Sequence, residues 1–150
     1  MSKGVKLGSM ANTSALQQAI EWVRRDLGEQ YQTVFTKSSV RLQTGGRHTF
    51  NAVAADGSLV ATVTNHSGVT SGGKRPVGKI KSAIADLYWL SLVDAPQRSL
   101  VVTNRDFLII LEFELKGALT EGLSLVHVEL PADLAAAVAS VSKAASDEMH

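Results

Sequence analysis

Residues 47–81 read RHTFNAVAADGSLVATVTNHSGVTSGGKRPVGKIK, and the fold turns on this stretch. Two β-favouring runs, Thr49 to Ala55 and Ser58 to Asn65, flank Asp56-Gly57, a dipeptide suited to a two-residue type I′ hairpin turn. That turn sets a register. With Ala55 opposite Ser58, Val53 faces Val60, Asn51 faces Thr62 and Thr49 faces Thr64, so these eight residues are expected on one face of the hairpin. Phe50, Ala52, Leu59, Ala61 and Val63 are expected on the other. A glycine-rich basic loop follows, then a helix over about 79–93 striped by Ile80, Ile84, Leu87, Tyr88 and Ser91.

Working outward, Ser14 with Gln17 forms an S-x-x-Q capping box before an apolar stripe of Leu16, Ala19, Ile20, Val23 and Leu27, with Gly28 as a helix stop. Residues 1–12 are small and polar and read as a flexible arm. Val34 to Thr44 suits a short strand ending at Gly45-Gly46, and a loop nearly as well. Beyond Pro96, Leu100 to Thr103 is a short apolar run typical of a strand covered on both faces. Asn104 and Asp106 are helix-start residues for a segment over 105–117, although FLIILEFEL is apolar on most sides and also fits a strand. Leu123 to Leu130 reads as a strand, and Pro131 opens a final helix with Leu134, Val138 and Val141 inward and a frayed end at 147–150. The expectation is one α/β domain over 13–146, of order α-β-β-β-α-β-α-β-α, with a mixed sheet flanked by helices.

Composition narrows the function classes. The 150 residues are 45% hydrophobic, enough for a sizeable core. Fifteen Lys and Arg against fourteen Asp and Glu give a formal charge of +1, so any anion-binding surface has to be local. There is no cysteine, hence no disulfide, thiolate metal site or cysteine nucleophile. MSKGVKLGSM has no apolar core of a signal peptide and no run is long enough to span a bilayer, so a cytoplasmic protein is expected.

The element order and the stretch SGGKRPVGKIKSAIADLYWLSLV after the hairpin resemble the restriction-endonuclease-like, or PD-(D/E)XK, superfamily over roughly residues 13–130. Those proteins place a helix before a three-stranded meander and follow it with a crossover helix and another strand. The resemblance implies a nuclease site with one acidic residue on the second strand and an acidic-x-Lys triplet on the third, holding magnesium and activating water. The matching positions here are Asn51, Thr62 and Thr64, so the chain departs at all three. Neutral oxygens are poor magnesium ligands, and Thr64 supplies no positive charge for a developing phosphorane. Glu21 matches an additional acid some relatives carry on the first helix, though a solvated helix-face glutamate is the simpler account. No metal or other cofactor is expected, magnesium entering only if relocated acids such as Glu21, Asp56 or Asp86 sustain catalysis.

Other motifs are weaker. Gly68-x-x-x-x-Gly73-Lys74 begins like a phosphate-binding P-loop, but Arg75 stands where Ser or Thr is required and Pro76 and Gly78 displace the helix start. Lys74, Arg75, Lys79 and Lys81, with Arg47, are the candidate contacts to DNA or RNA phosphates. His48, His66, His127 and His150 lack metal-ligand spacing. Trp22, Tyr88 and Trp89 sit on amphipathic helices, as core or interface aromatics do. The competing expectation is a homodimeric assembly protein joined through the helices at 79–93 and 105–117.

Overall fold

The computed structural model describes residues 7–68 and 72–148, and for 7–13 and 142–148 the backbone alone. Its elements are α1 (Leu7–Tyr31), β1 (Phe35–Arg41), β2 (Arg47–Ala54), β3 (Leu59–Thr64), α2 (Val77–Ser91), β4 (Gln97–Val102), α3 (Arg105–Glu114), β5 (Leu123–His127) and α4 (Ala132–Glu148). The five strands form one sheet in the order β1-β2-β3-β4-β5. β1, β2 and β3 make an antiparallel meander, whereas β3, β4 and β5 run parallel. Because both parallel crossovers advance in the same direction across the sheet, right-handedness puts their helices on the same face. α2 and α3 accordingly pack on Val60, Leu100 and Val102, while α1 and α4 cover Ala52, Ala61, Val63 and Val101 on the other side.

Local chemistry explains the elements. The ambiguous segment after β4 is a helix because the Asn104 side chain accepts the Phe107 N–H at 2.9 Å, and Asp106 sits in the positively polarised first turn. Phe107, Leu108 and Leu111 then turn inward. β4 is central, and Leu100, Val101 and Val102 are fully buried, in line with their unbroken apolar run.

Several local expectations are corrected. α1 begins at Leu7, so residues 7–12 belong to a helix rather than a loose arm, and residues 1–6 lie outside the described part. Ser14 is no cap: its hydroxyl accepts from the Gln18 amide at 2.9 Å within the continuing helix. At the other end, α4 runs through Asp147 and Glu148 instead of fraying there, with 149–150 outside the described residues. The β2–β3 turn keeps the expected pairing of Val53 with Val60 but not the type I′ geometry. Only Gly57 has positive φ, at +76°, because Asp56 Oδ1 accepts from the Ser58 N–H at 3.0 Å and hydroxyl at 2.6 Å and holds an Asx turn instead.

The largest correction lies in β2. Thr36 pairs with Val53 but Ser38 pairs with Phe50, so Asn51 and Ala52 both stand opposite Lys37 in a β-bulge. The extra residue reverses the alternation. Phe50 packs with α2 and α3, whereas Ala52 packs with α1 and α4, although the two were expected on one face.

α1 also passes Gly28, and ends where the Thr33 N–H reaches the Gly28 carbonyl at 3.2 Å. Gln32 is left-handed there, with φ of +54°, in a position that favours glycine. A left-handed non-glycine residue costs about 1 kcal/mol. Gln32→Gly is therefore expected to raise unfolding free energy by up to about 1 kcal/mol in urea denaturation, and no change or a loss would show that the cap is not strained.

Candidate functional site

Since β3, β4 and β5 are parallel, their carboxyl ends share one edge of the sheet, the place where open α/β sheets bind ligands. The residues leaving those strands build a neutral polar cluster. The Thr103 hydroxyl donates to Asn65 Oδ1 at 2.6 Å, and the Thr103 N–H reaches the Thr64 carbonyl at 3.2 Å. Asn104 Oδ1, already capping α3, also faces the Gly68 N–H at 3.4 Å. A side chain at Gly68 would come within 3.0 Å of Ile110 Cδ1 and 3.1 Å of the Asp106 backbone, so glycine lets this loop close on α3. At the end of β5, His127 Nδ1 lies 2.9 Å from the Val102 carbonyl, which fixes the proton on that nitrogen.

Lys79 brings the positive charge to this edge. Its Nζ donates to the Ser67 carbonyl at 3.0 Å and lies 3.3 Å from Ser67 Oγ. Desolvation pushes the Lys79 ammonium below its ordinary value. Burial, followed by the charge of Lys79, likewise holds the His66 imidazolium below its ordinary 6.5.

The residues read from the sequence are only partly assembled here. Thr64 is buried at the edge, with its hydroxyl 3.5 Å from the His66 N–H. Thr62, two residues earlier on β3, alternates onto the α2 face with Val60. Asn51 does not join them on a shared face. Its amide lies in the plane of the sheet, where Oδ1 accepts from the Val63 N–H at 2.8 Å and Nδ2 faces the Val63 carbonyl at 3.4 Å. Arg24 Nε of α1 donates to the Asn51 carbonyl at 2.7 Å. Glu21 is exposed on α1, lining a cavity of about 350 Å³ with Arg24, Arg25 and Glu29. Asp56 is in the turn, and Asp86 is half-buried on α2, its carboxyl raised by burial against an opposing pull from His48. His48 stacks on Trp89 with ring centroids 4.2 Å apart. No group of three or more His, Cys, Asp or Glu among the described residues is placed to hold a metal ion.

The basic residues are dispersed in role. Arg75 is bound at both ends of its fork by Glu114 of α3, at 2.7 and 2.6 Å, and this pairing keeps the Glu114 carboxyl below its ordinary value. Arg47 donates to Ser39 Oγ at 3.0 Å and to the Ser39 carbonyl at 2.9 Å across the β1–β2 hairpin. Lys74 and Lys81 are exposed. α2 itself opens at Pro76 with no side-chain cap and no acid in its first turn. The P-loop-like reading spans residues 69–71, which lie outside the described part. Sequence reading missed Asn65, Ser67, Thr103 and Asn104, whose available signal was position at the ends of the expected parallel strands.

Comparison with known protein families, curated proteins and solved structures returned no match. No helix among the described residues is long and apolar enough to cross a membrane.

Two measurements test this geometry. Asn51→Leu strands the buried Val63 N–H and carbonyl, so a loss of about 2 kcal/mol is expected in chemical denaturation; Asn51→Asp keeps the acceptor but not the donor and is expected between the two. A loss below about 0.5 kcal/mol for Asn51→Leu would show that the bridge contributes little.

The second concerns pH. The folded state resists protonating His66, so as pH falls through 6.5 the unfolded chain takes up a proton that the native chain refuses. Stability from this group is full above 6.5 and declines on acidification until the lowered native value is passed. His66→Gln is expected to flatten that decline in denaturation curves taken on either side of 6.5. An unchanged slope would place the titration elsewhere.

Proposed function

We propose that this protein is a non-catalytic, restriction-endonuclease-like domain that contacts nucleic-acid phosphates through the start of α2. The observation carrying the reading is the Lys79 ammonium drawn to the carboxyl end of β3 beside the uncapped start of α2. Where that family's nucleases hold carboxylates and lysine, this chain has Asn51, Thr62 and Thr64, while Lys79 supplies a cation from the adjacent helix. α2 opens uncapped behind Gly72 and Gly73, with its positively polarised end unopposed by any acid in the first turn. Lys74, Lys79 and Lys81 flank that end, which suits backbone contact with little sequence discrimination.

Support for the architecture is the order of helix, meander, crossover helix and strand, together with the departure of β2 from β3 at Asn51. An active nuclease with relocated acids is the poorer reading, because Glu21, Asp56 and Asp86 stand on three separate elements. Arg75 and Arg47 are assigned to holding Glu114 and Ser39, and so leave the list of phosphate contacts first drawn from the sequence.

The test is fluorescence anisotropy with duplex DNA and single-stranded RNA across a salt series. Lys74→Gln and Lys79→Gln are each expected to weaken binding uniformly across sequences and to reduce the salt slope by about one. Arg47→Gln is expected to leave the slope unchanged. Binding that is absent, or indifferent to both lysines, would sink the proposal. Cleavage of plasmid DNA with magnesium, abolished by Glu21→Ala, would overturn its non-catalytic half.

A further inference from the structure

α1 and α4 cover one face of the sheet but leave the outer end of the β1–β2 hairpin exposed on that side. Phe35 packs in the core beneath those helices, and alternation along β1 places Lys37, Ser39 and Arg41 on the same side. β2 adds Arg47 and Thr49, since His48 and Phe50 turn to the α2 layer. Arg47 donates to Ser39 Oγ, in keeping with that shared side. All five residues are exposed, and Ser39 stands directly opposite Thr49.

The strip is cationic. Between Glu29 and Asp56 the chain has no Asp or Glu, while Lys37, Arg41 and Arg47 all fall there. α1 does not offset them, because Glu21 and Glu29, lining the cavity beside β1, are matched by Arg24 and Arg25. Arg41 lies directly opposite Arg47 in the ladder, an unfavourable pairing of like charges. The Arg47 fork is occupied by Ser39, which leaves Lys37 and Arg41 as the cations turned to solvent. An anion lying on the strip relieves the repulsion.

We propose that a nucleic-acid strand held at the start of α2 continues across this strip, with its phosphates on Lys37, Arg41 and the hydroxyls of Ser39 and Thr49; this rests on the phosphate-contact reading of α2. β1 runs in the same direction as β3, so Arg41 ends at the carboxyl edge of the sheet, the edge to which Lys79 is drawn. Lys37 and Arg41 are four residues apart on one strand, about 13 Å, a distance that a chain of phosphates spans and a single phosphate does not. The five exposed residues include no aromatic ring, so the contact is to backbone rather than to stacked bases.

The experiment is fluorescence anisotropy with duplex DNA and single-stranded RNA across a salt series, each variant first checked for native circular dichroism. Lys37→Gln and Arg41→Gln are each expected to reduce the salt slope by about one, and the double variant by about two. Lys116→Gln removes the same charge just beyond the end of α3 and is expected to leave the slope unchanged. Slopes that fall for Lys74→Gln and Lys79→Gln but not for Lys37→Gln or Arg41→Gln would overturn this inference and leave the reading of α2 standing. Slopes that fall for the hairpin variants alone would support the strip as the contact surface and sink the reading of α2. Absence of binding would overturn both. Heparin binding lost in the hairpin variants, with DNA and RNA binding intact, would assign the strip to a sulfated polysaccharide and overturn the proposal.

Discussion

Asn51 stands where two neighbouring ladders make incompatible demands. Pairing with β1 inserts one extra residue into β2 opposite Lys37, and pairing with β3 has to accommodate that residue without stranding the buried backbone of Val63. An amide side chain carries a donor and an acceptor in nearly the spacing of a peptide group, so Asn51 stands in for the missing rung. Its own carbonyl is then left for Arg24, which ties α1 to the bulge. Phe50 is thereby sent to the α2–α3 core and Ala52 to the α1–α4 core. Small Ala52 lets α1 approach, and the large Phe50 ring meets His48 and the α2 layer. One inserted residue thus sets the composition of both hydrophobic layers.

The same bulge alters the meaning of the substitutions at the expected nuclease positions. The Asn51 amide is engaged at both ends with the Val63 backbone and its carbonyl accepts from the Arg24 side chain, so its identity is accounted for without metal chemistry. Thr64 is different. It is buried at the carboxyl edge among Asn65, His66, Thr103 and Asn104, where hydroxyls and amides satisfy one another and no carboxylate joins them. The Lys79 ammonium reaches this edge through Ser67, and Asp106 of α3 borders it beside Gly68.

The sequence carried most of the architecture because the decisive signals were local. Asp56-Gly57 located a hairpin and the run from Leu100 to Thr103 a strand covered on both faces, while Asn104 with Asp106 pointed to a helix start but left the following apolar segment open between helix and strand. What escaped was non-local. The bulge depends on how many residues of β1 lie opposite β2, and it cannot be read from β2 alone. Arg75 was grouped with its basic neighbours, yet its carboxylate partner lies 39 positions away on α3. Arg47 was grouped with them too and is held across the hairpin by Ser39. A basic run in a sequence counts charges without saying which are already committed.

Lys79 shows the converse. It was one of four clustered cations, and the fold separates it from the others by drawing its amine into a partly desolvated contact with the Ser67 carbonyl. The Ser67 carbonyl and hydroxyl take the place of part of the water around that ammonium. Lys74 and Lys81 stay exposed, so burial distinguishes cations that the sequence presents as equivalent.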